Sequence, residues 1–497
     1  MAQAVFHGAA ELQVGLDQLV SIAIRASKGG TSFMKAPREQ WSSRTGFVLA
    51  TIGGAVGLGN LWRFSYVAGE NGGAVFLFVY LVFVMLIGIP LMIAEMTIGR
   101  HAQGDAISAF EVHRKSSAWN MVGWTGVIAA CLLLSYYAVI AGWALKYFVG
   151  AATGALWSAA SADYGSYFRQ FISDRAEPVA WQGVTLLMTM LVVAGGVRHG
   201  IERVNRLLIP FLAVIVVILA SYALTLPGAG KGVRFLFAPD WAALREPKVY
   251  AAALGQAFFS LSVGMAFFVT YGSYMPRAFS LPASATIVAV GDTLFAIVAG
   301  LAIFPAVFAL GGNPAAGPEL AFVTLPQVFL KMPGGAAIGI VFFFLLATAA
   351  LTSMVGLLEI PVAAMTHRRG ARRWYATAIA GGCVFLAGVP SALSYGLFDH
   401  VRVGSYGVLD MIDFGVSNFL LPAVGIGTAL YVGWRLERAF ALQEADFGAS
   451  RWGIGWLWLV RVIAPLMILV ILAQSTGALW QAISFDEVKS EQKIEFK

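Results

Sequence analysis

The stretch GGAVGLGNLWR occupies Gly53 to Arg63 and decides how the rest of the chain is interpreted. Apolar residues lead into it from Thr45 and out of it to Gly69, so the whole segment is long enough to cross a bilayer with some tilt. Closely spaced glycines interrupt its middle, and each costs about 1 kcal/mol against alanine inside a helix.

Two interpretations fit this glycine-rich segment. In the first, the small residues let another helix pack closely. In the second, the helix opens in mid-membrane, where bare C=O and N–H groups are tolerated only if they line a protein-enclosed cavity or bind a ligand. Carbonyl oxygens suit a cation, and the N-terminus of the half-helix that follows suits a carboxylate. The composition of the segment leaves both interpretations open.

The overall composition is that of a polytopic membrane protein. The 497 residues are 59% hydrophobic and 12% charged, with a mean hydropathy of +0.77, whereas a soluble chain would carry about twice that charged fraction. The formal charge of +7 is explained by the positive-inside bias and requires no nucleic acid partner. Cys131 and Cys383 lie in apolar blocks, which predicts buried thiols and no disulfide.

Long apolar blocks predict eleven membrane spans. Spans 1 and 6 are interrupted, and the middle of span 6 reads FFSLSVGMAFF. Because the interrupted spans lie five apart, spans 1–5 and 6–10 are expected to form two halves of opposite topology, an arrangement described for secondary transporters. The predicted bounds of spans 1 to 11 are about 45–69, 74–98, 121–149, 181–197, 203–226, 249–274, 284–311, 335–366, 374–394, 407–434 and 456–482.

Several motifs carry a family resemblance. The stretch REQWSSRTGFVLATIGGAVGLGNLWRFSYVAGENGG (38–73) resembles the first span of the neurotransmitter:sodium symporter family, and GQAFFSLSVGM (255–265), AALTSM (349–354) and LDMIDF (409–414) follow in the same order. The resemblance covers about Arg38 to Trp480. It implies an all-α polytopic membrane protein with the leucine-transporter fold: an inverted five-plus-five helix repeat with broken spans 1 and 6, plus an eleventh span. Such a protein is not an enzyme; it is a secondary transporter that works by alternating access.

The resemblance also implies two sodium sites. A hard cation needs several oxygen ligands, and the matching positions supply only oxygens. The alternative for Thr352 and Ser353 is a pair of hydroxyls that bond back to their own helix. One ion would be bound by the carbonyls of Gly53, Val56 and Ala349 and the hydroxyls of Thr352 and Ser353, and the other by Ala55, Asn60, Ser260, Asp292 and the substrate carboxylate.

Asp292 is an acid within a span, which is a functional hypothesis by default. Chloride-dependent members of the family have Asn at this position and Ser at the position of Ala296. Here a fixed negative charge could replace the halide. The alternative is an aspartate bonded to backbone at a helix break, with no part in coupling. Glu95, a second acid within a span, is expected to accept hydrogen bonds from N–H groups freed by the break in span 6.

By the resemblance, the substrate is a neutral hydrophobic or aromatic amino acid. Gly57 replaces the aspartate with which monoamine carriers hold an amine, so the substrate would bring its own carboxylate to the ion and to the Tyr137 hydroxyl. The alternative for Tyr137 is an ordinary buried tyrosine. The expected substrate-binding residues are Gly54, Ala55, Gly59, Leu133, Tyr137, Phe259, Ser260, Ser262, Met265, Met354 and Leu357.

Two gates are expected by the same resemblance. Arg63 and Asp413 would pair on the outer side of the pocket, close to Gln256, with Phe259 as a lid. Arg38 and Trp41 match a cytoplasmic latch, whose usual aspartate partner is replaced here by His367.

Counting Lys and Arg places the N-terminus in the cytoplasm. The protein is expected in the plasma (inner) membrane. Residues 1–37 would form a cytoplasmic extension, 38–484 the transmembrane transporter domain, and 485–497 a short external tail. Met34 is a second candidate start, so residues 1–33 carry no functional prediction. The expected partners are a small amino-acid substrate, sodium ions and lipid, and the oligomeric state stays open.

Three other functions remain open at this point. The chain could carry a betaine or a γ-amino acid, or it could sense an amino acid without transporting it. An intramembrane aspartyl protease could use Asp292 and Asp413 as a dyad, although the chain has no Gly-x-Gly-Asp motif and the two acids are predicted at different depths.

Overall fold

The computed structural model describes residues 39–111, 118–158, 163–404, 406–474 and 476. The predictions for residues 1–37, Arg38 and residues 485–497 lie outside this part of the chain. Within it, nine helices are long and apolar enough to cross a membrane. They correspond to spans 2–5 and 7–11: Ala74–Ala102, Asn120–Thr153, Glu177–Ala194, Val197–Leu224, Leu281–Ala309, Gly335–Arg369, Arg373–Ala392, Val408–Arg435 and Arg451–Gln474.

Span 1 is a broken helix. Its halves, Arg44–Ala55 and Gly59–Glu70, meet at an angle of 50° across a short non-helical link. The glycine-rich stretch therefore opens the helix, as the second interpretation of the sequence predicts. The side chain of Ser43 caps the first half by accepting a hydrogen bond from Gly46 N–H at 3.0 Å.

Span 6 is broken as well, into Pro247–Ser260 and Phe267–Gly272. Between the halves, Ser262, Gly264 and Ala266 have φ angles of 57°, 80° and 59°. A left-handed backbone cannot continue a right-handed helix, so the chain turns here. The bent pair of span 1 raises the number of membrane-spanning segments among the described residues to ten, and the two halves of span 6 lie at the position of the remaining expected span.

Spans 1 and 6 run in opposite directions. Trp41 N–H, just before span 1, donates to the Tyr274 carbonyl just after span 6 at 3.2 Å, and Arg63 Nη1 in the second half of span 1 donates to the Gly255 carbonyl in the first half of span 6 at 3.3 Å. The start of each span therefore lies beside the end of the other. We call the side on which span 1 begins the N-terminal face and the other side the opposite face.

Shorter helices connect the spans: Tyr164–Ser173, Gly230–Phe237, Thr324–Leu330 and Arg438–Glu444. Many large apolar side chains on the spans are exposed, Leu191 and Leu207 among them, as expected for surfaces that meet lipid. The cysteine prediction is corrected here: Cys131 is half-buried, but Cys383 is exposed. An apolar block does not reveal which of its residues face inward when both the core and the lipid are apolar.

Candidate functional site

The break in span 1 frees two backbone carbonyls. Gly57 N–H donates to Oδ1 of Asn60 at 3.1 Å, and Asn60 N–H donates to the Gly57 carbonyl at 3.2 Å. In a continuous helix these two amides would bond the carbonyls of Gly53 and Val56 instead. Both carbonyl oxygens are therefore available to groups on span 8.

Span 8 completes what we call the first oxygen cluster, formed by the carbonyls of Gly53, Val56 and Ala349 and the hydroxyls of Thr352 and Ser353. Ser353 Oγ lies 3.3 Å from the Val56 carbonyl oxygen and 3.5 Å from that of Gly53. Thr352 Oγ1 lies 3.5 Å from the Val56 oxygen and 2.8 Å from that of Ala349. Several buried oxygens converging between two spans are the donor set that a hard cation requires.

The alternative role of these hydroxyls, bonding back to their own helix, fits Thr352 but not Ser353. Thr352 makes its shortest bond back to Ala349 on its own helix, as that alternative predicts. Ser353 instead reaches across to span 1. The buried Ser353 hydroxyl therefore connects spans 1 and 8 and does not bond back to its own helix.

Asn60, Ser260 and Asp292 form a second oxygen cluster between spans 1, 6 and 7. Asn60 Nδ2 donates to Asp292 Oδ1 at 2.8 Å and lies 3.2 Å from Ser260 Oγ. Ser260 Oγ donates to the other carboxylate oxygen at 2.7 Å. Ala55, the fourth residue expected here, is buried at the end of the first half of span 1.

The alternative role of Asp292 does not match its surroundings. Asp292 lies inside the continuous helix Leu281–Ala309, not at a break, and it is fully buried. Its carboxylate meets side chains from three other spans: Asn60, Ser260 and the hydroxyl of Tyr80 at 3.5 Å. The carboxyl group of Asp292 is therefore placed beside the oxygens of the second cluster.

A small cavity lies between the two breaks. The Tyr137 and Phe259 rings stack with centroids 6.3 Å apart beside it. Nine of its ten lining residues are among the expected substrate-binding residues, and Ser353 is the tenth. The lining consists of Gly54, Ala55, Gly59, Leu133, Tyr137, Phe259, Ser262, Met265, Ser353 and Leu357.

Met354 requires a correction. It lines a separate cavity, together with Leu145, Phe148 and Thr185. Successive residues of a helix point about 100° apart. Since Ser353 and Leu357, four residues apart, face the cavity between the breaks, Met354 is turned toward spans 3 and 4.

On the opposite face, Arg63 covers the cavity. Its guanidinium carbon lies 4.5 Å from the centroid of the Phe259 ring, and Nη1 donates to the Gly255 carbonyl. Gln256 Nε2 donates to the Gly59 carbonyl at 2.7 Å. These contacts tie the two broken spans together above the ring of Phe259.

The predicted ion pair between Arg63 and Asp413 is not formed in the described part of the structure. Asp413 Oδ1 instead accepts hydrogen bonds from Tyr136 at 2.7 Å and Ser417 at 2.9 Å. The guanidinium lies on the aromatic ring of span 6, so two hydroxyls satisfy the carboxylate in its place. Family motifs identify both residues but do not say which partner each one takes in a given conformation.

On the N-terminal face, Trp41 is buried and its indole N–H donates to the Tyr271 carbonyl at 3.0 Å. Sequence reasoning missed the contact beside it. Ser42 N–H donates to Glu202 of span 5 at 2.9 Å, and the Ser42 hydroxyl and Arg206 bond the same carboxylate. The sequence signal that could have revealed this contact is Glu202 itself, an acid at the start of an apolar span.

Two further buried acids, Glu95 and Glu359, have hydrogen-bond partners on neighbouring spans. Glu95 accepts a hydrogen bond from Gly264 N–H at 2.8 Å, so its predicted role at the break in span 6 is confirmed. Glu359, which sequence reasoning missed, pairs with Arg373 and accepts a hydrogen bond from the Tyr274 hydroxyl at 2.7 Å. Its signal was again an acid within an apolar span.

The sequence matches the model of the sodium:neurotransmitter symporter family over residues 38–168 and 172–487. The chain belongs to this family. An uncharacterized sodium-dependent transporter of Bacillus subtilis, YhdH, is 39% identical over 443 residues, which cover 88% of this chain and 98% of the relative. A sodium- and chloride-dependent taurine transporter of Rattus norvegicus is 26% identical over 545 residues, or 90% of this chain and 87% of the relative.

Among solved structures, that of MhsT in complex with L-phenylalanine is 49% identical, with a TM-score of 0.84, and the match covers 88% of this chain and 100% of that chain. The protein therefore has the leucine-transporter fold. As a member of the sodium:neurotransmitter symporter family, it is a multi-pass, sodium-dependent secondary transporter rather than an enzyme.

Proposed function

We propose that this symporter imports neutral hydrophobic or aromatic L-amino acids with sodium and does not require chloride. The observation that carries the substrate class is the space around Gly57. A Cβ built there would lie 2.2 Å from Ser353 Oγ and 2.4 Å from the Tyr137 hydroxyl. No side chain fits at this position without displacing them, so the carboxylate beside the ions must come from the substrate.

The second half of span 1 offers a binding place for that carboxylate. Leu58 N–H donates to the Tyr137 hydroxyl at 2.8 Å at the start of this half-helix. The N-terminus of a helix carries partial positive charge and free N–H groups, which favour an anion. The Tyr137 hydroxyl can at the same time donate to a carboxylate that enters between them.

The remaining walls of the cavity favour an apolar side chain. Leu133, Phe259, Met265 and Leu357 line it, and methionine adapts to bulky shapes because its side chain is unbranched and flexible. The solved complex of MhsT, at 49% identity, contains L-phenylalanine, which supports an aromatic substrate for this chain.

Two sodium ions are proposed, one in each oxygen cluster. The first cluster joins spans 1 and 8, and the second joins spans 1, 6 and 7. The substrate carboxylate would complete the second. Ions and substrate thus favour the same closed arrangement of the spans, and this differential affinity couples their movements.

Chloride independence is proposed from Asp292. A permanent carboxylate beside the second cluster offsets the positive charge of the ions, and Ala296 offers no hydroxyl for a halide. The rat taurine transporter, a relative at 26% identity, is named as chloride-dependent, so this property is expected to vary within the family.

We also propose that the N-terminal face is cytoplasmic in the plasma (inner) membrane. The arginines on that side are explained by the positive-inside bias: Arg44, Arg100, Arg198, Arg203, Arg206, Arg368, Arg369, Arg372, Arg373, Arg435 and Arg438.

Competition by the common amino acids for sodium-dependent binding of labelled L-phenylalanine to the purified protein tests the substrate class. We expect hydrophobic and aromatic L-amino acids to compete best, and betaine and γ-aminobutyrate to compete poorly. Preferential competition by either of the last two would refute the proposed substrate class.

A further inference from the structure

The candidate arises where span 5 packs against the first half of span 1. Two glycines of span 1, Gly46 and Gly53, lie seven residues apart and therefore face the same side about two helical turns from each other. A Cβ on Gly53 would lie 1.8 Å from Oδ1 of Asn205, and a Cβ on Gly46 would lie 1.8 Å from Oε1 of Glu202. Span 5 therefore places two side-chain oxygens in the space that these glycines leave open.

Of these two residues of span 5, Asn205 has the more unusual environment. It is fully buried, and its Nδ2 donates to the Ile201 carbonyl at 2.9 Å. That bond fixes the orientation of the amide, because the flipped amide would place two acceptor oxygens against each other. Oδ1 is thereby turned toward Gly53, and it has no hydrogen-bond partner among the described residues.

An unpaired buried acceptor costs about 1–3 kcal/mol, so its position calls for an explanation. Gly53, the residue that it touches, also contributes a carbonyl to the first oxygen cluster. An amide oxygen is a suitable ligand for a hard cation. The unsatisfied oxygen thus lies next to the place where an ion would be bound.

Glu202 lies nearer the N-terminal face than Asn205 does. It precedes Asn205 by about one helical turn, and its carboxylate is bonded to Ser42 at the start of span 1 and to Arg206 on its own span. Side-chain oxygens therefore follow one another from the neighbourhood of the first cluster, at Asn205, to the Glu202 carboxylate nearer the N-terminal face.

We propose that Asn205 Oδ1 is a transient sodium ligand on the exit route from the first oxygen cluster, between that cluster and Glu202. This inference rests on the proposed sodium transport. An ion that leaves the five oxygens of the cluster meets the Asn205 oxygen before it reaches the carboxylate, so it is not stripped of ligands inside the apolar part of the protein. Such a ligand lowers the barrier in both directions and leaves the equilibrium affinity unchanged.

The test uses Asn205→Leu in the full-length purified protein, because leucine keeps the branch at Cγ and removes the oxygen. The protein is loaded with ²²Na⁺ and diluted into sodium-free buffer, and the rate of ²²Na⁺ release is measured. We expect release to slow by about tenfold, which corresponds to the loss of one modest interaction at the barrier. The sodium concentration for half-maximal phenylalanine binding should stay within about twofold of the wild-type value, because the substitution slows sodium binding and sodium release by the same factor.

The control is Thr377→Val in span 9, which removes a buried hydroxyl oxygen that, like Asn205 Oδ1, has no hydrogen-bond partner among the described residues. It should release sodium at the wild-type rate. Thermal unfolding of each variant is measured without sodium, and Asn205→Leu should be no less stable than wild type because it removes an unsatisfied acceptor. If the leucine variant does not fold, Asn205→Val replaces it.

Wild-type release rates in the folded Asn205 variant would overturn the inference. A parallel loss of stability, equilibrium affinity and rate would also overturn it, because that pattern indicates a structural role. A wild-type protein that binds phenylalanine equally well without sodium would instead refute the proposed function, so the two failures are distinguishable.

Discussion

Replacing Ser353 with alanine tests the first oxygen cluster. The hydroxyl is one of five oxygens in the cluster, it lies 3.3 Å and 3.5 Å from the carbonyl oxygens of Val56 and Gly53, and the residue is only 4% exposed. A hydrogen bond or ligand contact to a charged group contributes about 1.5–3 kcal/mol. Its loss should raise the sodium concentration for half-maximal binding by roughly 10- to 150-fold, and water that enters the vacated space would keep the effect near the lower limit.

The assay is a sodium titration of phenylalanine binding to the purified protein. Thr348→Ala is the matched control on the same span, because the Thr348 hydroxyl bonds back to the Phe344 carbonyl at 2.6 Å and does not reach span 1. Its half-saturating sodium concentration should match that of wild type. An unchanged value in Ser353→Ala, or equal increases in both variants, would refute the assignment of the cluster.

The other predictions concern the anion and the cavity. Wild-type uptake should proceed at full rate with gluconate in place of chloride, whereas Asp292→Asn combined with Ala296→Ser should transport more slowly and respond to chloride; wild-type uptake that collapses without chloride contradicts the role of Asp292. Leu357→Phe should weaken competition by tryptophan far more than by alanine, because the added volume enters a cavity that is already small; equal losses for both amino acids would show that Leu357 does not limit substrate size.

The broken spans could be predicted from the residues themselves. Clustered glycines weaken a helix, and in span 1 they mark the link where the helix bends. The break in span 6 carried a weaker signal, since only Gly264 among its three left-handed residues favours that conformation by itself. The family resemblance supplied the pairing of spans 1 and 8, which composition could not.

Other features depend on orientations that a sequence does not encode locally. Met354 follows Ser353 directly, yet helix geometry sends the two side chains into different cavities. The resemblance predicts Arg63 and Asp413 as partners in one gate, but it does not determine which groups each side chain contacts. The contact between Asn205 and Gly53 joins residues that are far apart in the chain, and neither residue type predicts it.

The central claim is that sodium drives the accumulation of an amino acid. The most direct measurement is the uptake of labelled L-phenylalanine into proteoliposomes that contain the purified protein, with either sodium or potassium outside. The account predicts transient accumulation above the external concentration when an inward sodium gradient is present, and no accumulation in potassium. Equal uptake in the two salts would contradict it.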